Sequence, residues 1–125
     1  MAIKFEYDRD QNFLLIKVIG EIKVEDYSNL MKVELPSRNI PIDINAIWDL
    51  SEMDFSVVDI ELERKINKVR EKIDERRQNT KVALVSDYDL GGPILKMFLI
   101  ISQHLSQEIR VIKTIKEARQ WLSGM

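Results

Sequence analysis

The chain has 125 residues, 45% hydrophobic and 32% charged, a composition expected of one globular domain rather than a disordered tail. A formal charge of −2 argues against a dedicated nucleic-acid binder, and the absence of cysteine excludes disulfides, thiolate metal sites and a cysteine nucleophile. No run reaches the roughly 18 apolar residues of a spanning helix, and the alternating start lacks a signal-peptide core, so residues 1–125 are expected to form a single soluble, cytoplasmic domain.

In chain order, Ile3, Phe5 and Tyr7 alternate with Lys4, Glu6 and Asp8, which predicts a strand followed by a polar turn over residues 8–12. Residues 13–19 form a nearly continuous apolar strand closed by Gly20. Val24, Tyr27, Leu30, Met31 and Leu35 have helical spacing, and Pro36 should end that helix. The strand over 44–50 is apolar on both faces, as in a sheet covered on each side, and is therefore expected in the sheet interior. A long helix is predicted from Ser56 to about Gln78, then a strand over 81–86. Gly91-Gly92-Pro93 should open a third helix running to about Ser106, with Gly at the cap and Pro at the first helical position. A strand over 108–113 and a helix over 114–122 close the chain. The order β-β-α-β-α-β-α-β-α predicts an α/β fold with a single mixed sheet, its first pair antiparallel and the rest parallel, carrying four helices.

The junction after Leu50 is the best-marked part of the chain, and the carboxyl ends of strands are where open α/β sheets place ligands. Ser56 and Asp59 have capping-box spacing, with Phe55 and Ile60 at the flanking staple positions. Asp43 to Glu63 contains seven acids and no base; Arg64 to Lys81 contains eight bases against three acids. An anion-binding surface would show such a run, but acids at the start and bases at the end of one helix also complement its dipole. The second account is preferred. Val58, Leu62, Ile66, Val69 and Ile73 then face the core, leaving Arg64, Lys68, Lys72 and Arg76 in solvent.

The string Ala46-Ile47-Trp48-Asp49-Leu50-Ser51-Glu52-Met53-Asp54-Phe55-Ser56 resembles the central strand and turn of STAS domains, and among these the SpoIIAA-like proteins. Ile19-Gly20-Glu21-Ile22 leading into Glu25-Asp26-Tyr27, and the closing Lys116-Glu117-Ala118-Arg119-Gln120-Trp121-Leu122, are similar to the same subfamily. The resemblance implies a small curled sheet with helices on one face. It also implies a non-enzymatic role in binding a protein partner or an apolar ligand, as in the related CRAL-TRIO-like lipid-binding folds. Anti-sigma antagonists of this family carry a phosphorylatable serine in Asp-Ser-Ser-Gly, whereas here the aligned residues are Val57-Val58-Asp59, with Val58 nearest the serine's place. Ser56 is therefore expected to be a cap rather than a phosphosite.

Other chemistry is sparse. Asp49, Asp87 and Asp89 are expected near strand ends and could together hold a hydrated Mg²⁺; solvated acids are the preferred reading, and no metal or cofactor is expected. His104 is the sole histidine, without a partner motif for base catalysis, and is expected at the core edge. Gly91 and Gly92 could cradle a phosphate, although Asp87 and Asp89 beside them would repel it. Trp48 and Trp121 read as core. The third helix has more apolar residues than one core face needs. Ile94, Met97, Phe98, Ile101 and Leu105 make one stripe, with Leu95 and Leu99 extending it and Ile100 on the opposite flank. Leu95, Leu99, Ile100, Gly91 and Gly92 are thus the candidate ligand or partner residues. The leading expectation is a non-enzymatic regulatory or protein-interaction module that self-associates, first as a homodimer. The alternative is a carrier or sensor binding a lipid or other apolar small molecule between its helices.

Overall fold

The strands predicted from the apolar runs form a single five-stranded sheet with spatial order β1-β2-β3-β4-β5, in a computed structural model that describes residues 2–124 except for the side chains of residues 88–90. They are β1 (Ile3–Asp8), β2 (Phe13–Gly20), β3 (Asn45–Met53), β4 (Lys81–Val85) and β5 (Glu108–Ile112). β1 and β2 pair antiparallel, and every later pair is parallel. β3 therefore lies in the middle of the sheet, as its two apolar faces require. The mixed sheet and its four helices agree with the expected order.

The helices are α1 (Val24–Asn29), which continues through a π-helical segment (Leu30–Glu34) and a last α turn (Leu35–Ser37), α2 (Ile60–Ile73), α3 (Tyr88–Ile101) and α4 (Ile115–Leu122). Pro36 sits in the final turn of the first helix rather than beyond it. Asn39 and Asn79, with φ of 58° and 65°, make the left-handed turns that follow α1 and the 3₁₀ turn Asp74–Arg77 after α2, a conformation asparagine tolerates better than most residues.

Each β-α-β connection moves one strand further in the same direction. Right-handed crossovers advancing in one direction must lay their helices on one face. α1, α2 and α3 accordingly cover the face carrying Leu14, Ile16, Val18, Trp48, Leu50, Val82 and Leu84. The opposite face is not bare, which corrects the expectation of helices on one side only. α4 follows the last strand, is not bound by the crossover rule, and crosses over to cover Phe13, Ile47, Ala83 and Val85 with Ala118 and Trp121. Strand alternation explains the division, since Trp48 and Ile47 point to opposite layers.

Two helix starts differ from those predicted. α2 begins after a 3₁₀ turn at Phe55–Val57, and its cap is Asp59, whose Oδ1 accepts from the Leu62 N–H at 2.8 Å. Ser56 caps nothing on α2. Its hydroxyl and its N–H both donate to Asp54 Oδ1, at 2.5 and 3.0 Å. The capping-box reading of Ser56 is thus replaced by an Asx turn at Asp54 and a separate helix cap at Asp59, because the chain makes an extra turn before entering the helix. α3 begins at Tyr88, so Gly91, Gly92 and Pro93 lie inside it and not at its cap. Helix packing explains Gly91: a Cβ there would stand 2.6 Å from Phe55 Cζ.

Candidate functional site

Between the three-helix layer and the sheet lies a cavity of about 100 Å³. Its walls are mostly apolar and include Ile16, Trp48 and Leu84 from the strands, Leu62 and Ile66 from α2, and Phe98 from α3. Tyr27 of α1 closes one side and stacks on Trp48 with ring centroids 5.8 Å apart. Four polar side chains interrupt this wall: Glu63, Arg70, Arg77 and Gln107. All are buried, Arg70 and Arg77 to 3% exposure and Glu63 to 6%. Each has one buried polar atom without a hydrogen-bond partner, namely Glu63 Oε1, Arg70 Nη2, Arg77 Nε and Gln107 Nε2. Such an atom typically costs about 1–3 kcal/mol, and native folds keep few of them. Four around one cavity is a concentration that core packing does not explain.

The helix period brings two of the four together. Glu63 and Arg70 are seven residues apart on α2, about two turns, so they line one face with Asn67 between them, and Arg77 reaches the cavity from the 3₁₀ turn that follows. Asn67 and Arg70 are held firmly. Asn67 Nδ2 donates to the Ile101 carbonyl at 2.9 Å, and Arg70 Nη1 donates to Asn67 Oδ1 at 2.8 Å and to Ser102 Oγ at 2.7 Å. The Arg70 guanidinium also lies 4.9 Å from the Phe98 ring centroid, a cation–π distance. Arg77 is anchored through Nη1, which donates to the Ile42 carbonyl.

The electrostatics of this wall are unusual. Burial pulls both guanidinium pKa values down, yet arginine stays cationic in proteins. Among the described residues, neither has a carboxylate within ion-pair distance. Asp74, whose charge acts on both, has its carboxylate engaged by the Ser106 N–H at 3.0 Å and hydroxyl at 2.9 Å. Tyr27 lies within electrostatic reach of both arginines, and burial raises its phenol pKa. Burial, with a smaller contribution from Asp59, raises the Glu63 carboxyl to about 7.

The residues singled out from the sequence are placed differently. Leu95 is buried in the main core, and Leu99 is half-buried. Ile100 is 53% exposed and Met97, assigned above to the core stripe, is 43% exposed. Gly91 and Gly92 are buried within α3. Asp49 is not at a strand end, because β3 runs on to Met53; its Oδ1 accepts from the Ser51 N–H and hydroxyl at 3.0 and 2.7 Å. Asp87 is exposed, and the Asp89 side chain lies outside the described residues. No three potential metal-ligating side chains come together among the described residues. His104 is exposed beyond the end of α3, with Nε2 2.8 Å from Glu71 Oε1, and so is not a core-edge residue. Sequence pattern alone does not mark the cavity's polar wall, because Arg70 and Arg77 fit equally well into the run of bases that complements the helix dipole. The signal available was a second stripe, Glu63, Asn67, Arg70 and Arg77, running at helical spacing beside the apolar one.

The chain has a SpoIIAA/STAS-like fold. It is similar to a DUF3478-family protein with a SpoIIAA-like fold from Shewanella loihica PV-4, at a TM-score of 0.66 and 20% identity over 97% of this chain and 92% of that one. It is also similar to the anti-sigma factor antagonist SpoIIAA in its unphosphorylated form, at a TM-score of 0.57 and 14% identity over 99% of this chain and 100% of that one. No protein-family model and no curated protein matches the sequence. No described helix is long and apolar enough to cross a membrane.

Proposed function

We propose that this chain is a non-enzymatic regulatory module of the SpoIIAA-like type whose input is a small molecule bound between the sheet and the three-helix layer. The observation that carries this reading is the cavity with four unpaired polar atoms in an otherwise apolar wall. Binding sites have this character, apolar surfaces with a few polar groups that fix orientation. A fold retains such local costs where function offsets them. The site offers no assembled nucleophile, base and oxyanion donor, which supports binding rather than catalysis. The segment aligned with the antagonists' phosphorylatable serine also takes part. Val58, nearest that position, lines the cavity together with Met53, while its neighbour Val57 is exposed. A ligand would therefore touch the segment through which a related fold is switched, replacing a phosphate as the signal.

Native mass spectrometry and thermal unfolding test this. Protein purified from its host should carry a small-molecule adduct, and Ala46→Leu, which fills the cavity from β3, should lose the adduct and remain folded. A wild-type protein with a clean mass, whose melting temperature is unmoved by short-chain alcohols and acids, would defeat the reading.

The self-associating reading has a separate observation in its favour. Met97 and Ile100, three residues apart on α3, put two large apolar side chains on one exposed face. If this face pairs two copies, Ile100→Glu should convert a dimer into a folded monomer in analytical ultracentrifugation. A wild type that sediments as a monomer at high concentration removes this second reading.

A further inference from the structure

We infer that the cavity takes a small amphipathic anion, a carboxylate head on a short-chain or single-ring apolar body, with the head at the Tyr27 end where Arg70 and Arg77 present their unpaired N–H groups. This inference rests on the reading of the cavity as a ligand site and adds the chemistry of the ligand.

Charge gives the first argument. Two guanidiniums line the cavity, each 3% exposed and without a paired carboxylate among the described residues. Of the acids whose charge reaches them, Asp74 is bound by Ser106, and Asp43, which acts on Arg77, makes no ion pair with it among the described residues. A buried cation without its counter-ion is strongly unfavourable, and an anion entering the cavity would remove that cost. Hydrogen bonding gives the second. Arg70 Nη2, Arg77 Nε and Gln107 Nε2 are all donors without acceptors, and a carboxylate has two oxygens that only accept. Three donors against one unpaired acceptor, Glu63 Oε1, matches an acceptor-rich ligand. Arg70 is also pre-positioned, because its Nη1 is fixed by Asn67 and Ser102 while Nη2 is left free. Planar guanidinium donors suit a carboxylate better than a lysine ammonium would.

Size and lining describe the rest of the ligand. Apart from Glu63 and Gln107, the wall beyond the arginines is apolar and includes Ile16, Trp48, Leu62, Ile66 and Phe98, which suits an apolar body behind a single polar head. A volume of about 100 Å³ is of the order of an engineered apolar cavity that admits benzene. It therefore suits a six-carbon chain or one ring and excludes a long acyl chain unless the helices part.

Calorimetric titration of the full chain with hexanoate, 1-hexanol and hexylammonium separates the possibilities. Hexanoate is expected to bind at least about tenfold more tightly than 1-hexanol, the ratio set by one charge-assisted hydrogen-bonded contact, and hexylammonium more weakly than either. Arg77→Met should reduce that preference to about unity, leaving hexanol binding in place. Arg70→Met should do the same, and circular dichroism reports whether it still folds after losing its bonds to Asn67 and Ser102. Equal binding of hexanoate and hexanol to the wild type would keep the ligand site and overturn its anionic preference. Tighter binding of hexylammonium would move the head group to Glu63 and overturn the inference. No binding by any of the three would overturn both the inference and the proposed function.

Discussion

Glu63→Gln is expected to make the protein more stable at pH 8, by roughly 2–3 kcal/mol, and to flatten its stability between pH 4.5 and 7. Glu63 is 6% exposed, and its Oε1 has no partner. Burial first, and the charge of Asp59 second, raise its carboxyl from the ordinary 4.5 to about 7. The sign follows from proton counting. Between those two values the folded chain holds a proton that the unfolded chain has released, so stability falls as pH rises across the window. Below about 4.5 the penalty is absent; above about 7 it is complete and no longer changes. Glutamine has nearly the same shape and never ionises, so its curve should lack this slope, although its amide adds a donor that needs accommodation. Urea unfolding of both proteins at pH 5, 6, 7 and 8 measures the difference. Parallel curves separated by a constant would show that Glu63 titrates normally and is not a desolvated group of the cavity wall.

Trp48→Ala should be costlier still, about 3–5 kcal/mol, the range for truncating a large buried aromatic side chain. Trp48 lies on β3 in register with Ile16 on one side and Leu84 on the other, and stacks on Tyr27. The substitution would join the space left by the indole to the existing cavity, so little collapse is available to recover the loss. Trp121 is the control. It is half-buried under Lys81 and Arg110, whose charged groups stand 5.6 and 5.0 Å from its ring, and Trp121→Ala should cost only about 1–2 kcal/mol, within the ordinary range for single substitutions. Urea midpoints of the two variants decide the matter. Equal losses would mean that the α4 face carries as much of the stability as the cavity face does.

The two effects meet in one part of the molecule. Glu63 and Trp48 both line a cavity that lowers stability through unpaired polar groups, while the surrounding aromatic and aliphatic side chains restore it. A ligand that pairs with those groups would stabilise the folded state by mass action. It would also touch Met53 and Val58, which flank the turn at Phe55–Val57, where Phe55 is buried and Ser56 and Val57 are exposed.

The sequence by itself determined the order of elements, the antiparallel start and the central position of β3. These are properties of neighbouring residues: strand alternation, helical spacing and the apolar run Ala46-Ile47-Trp48 are written locally. Resemblance extended this to the SpoIIAA-like fold. Helix starts were legible only approximately, because Ser56 and Asp59 are both good caps, and the 3₁₀ turn that selects Asp59 depends on how Phe55 packs against Gly91. The width of the buried arc on α2 was not legible at all. Periodicity puts Glu63, Asn67 and Arg70 on one face beside the apolar stripe, with Arg77 at the same spacing further on, but it does not tell whether they meet water. α3 decides it, since Ile101, Ser102 and Phe98 close over Asn67 and Arg70. Whether a charged side chain lies in solvent or in a cavity depends on neighbours far away in the chain, and so only the tertiary structure turned four ordinary surface-type residues into a candidate site.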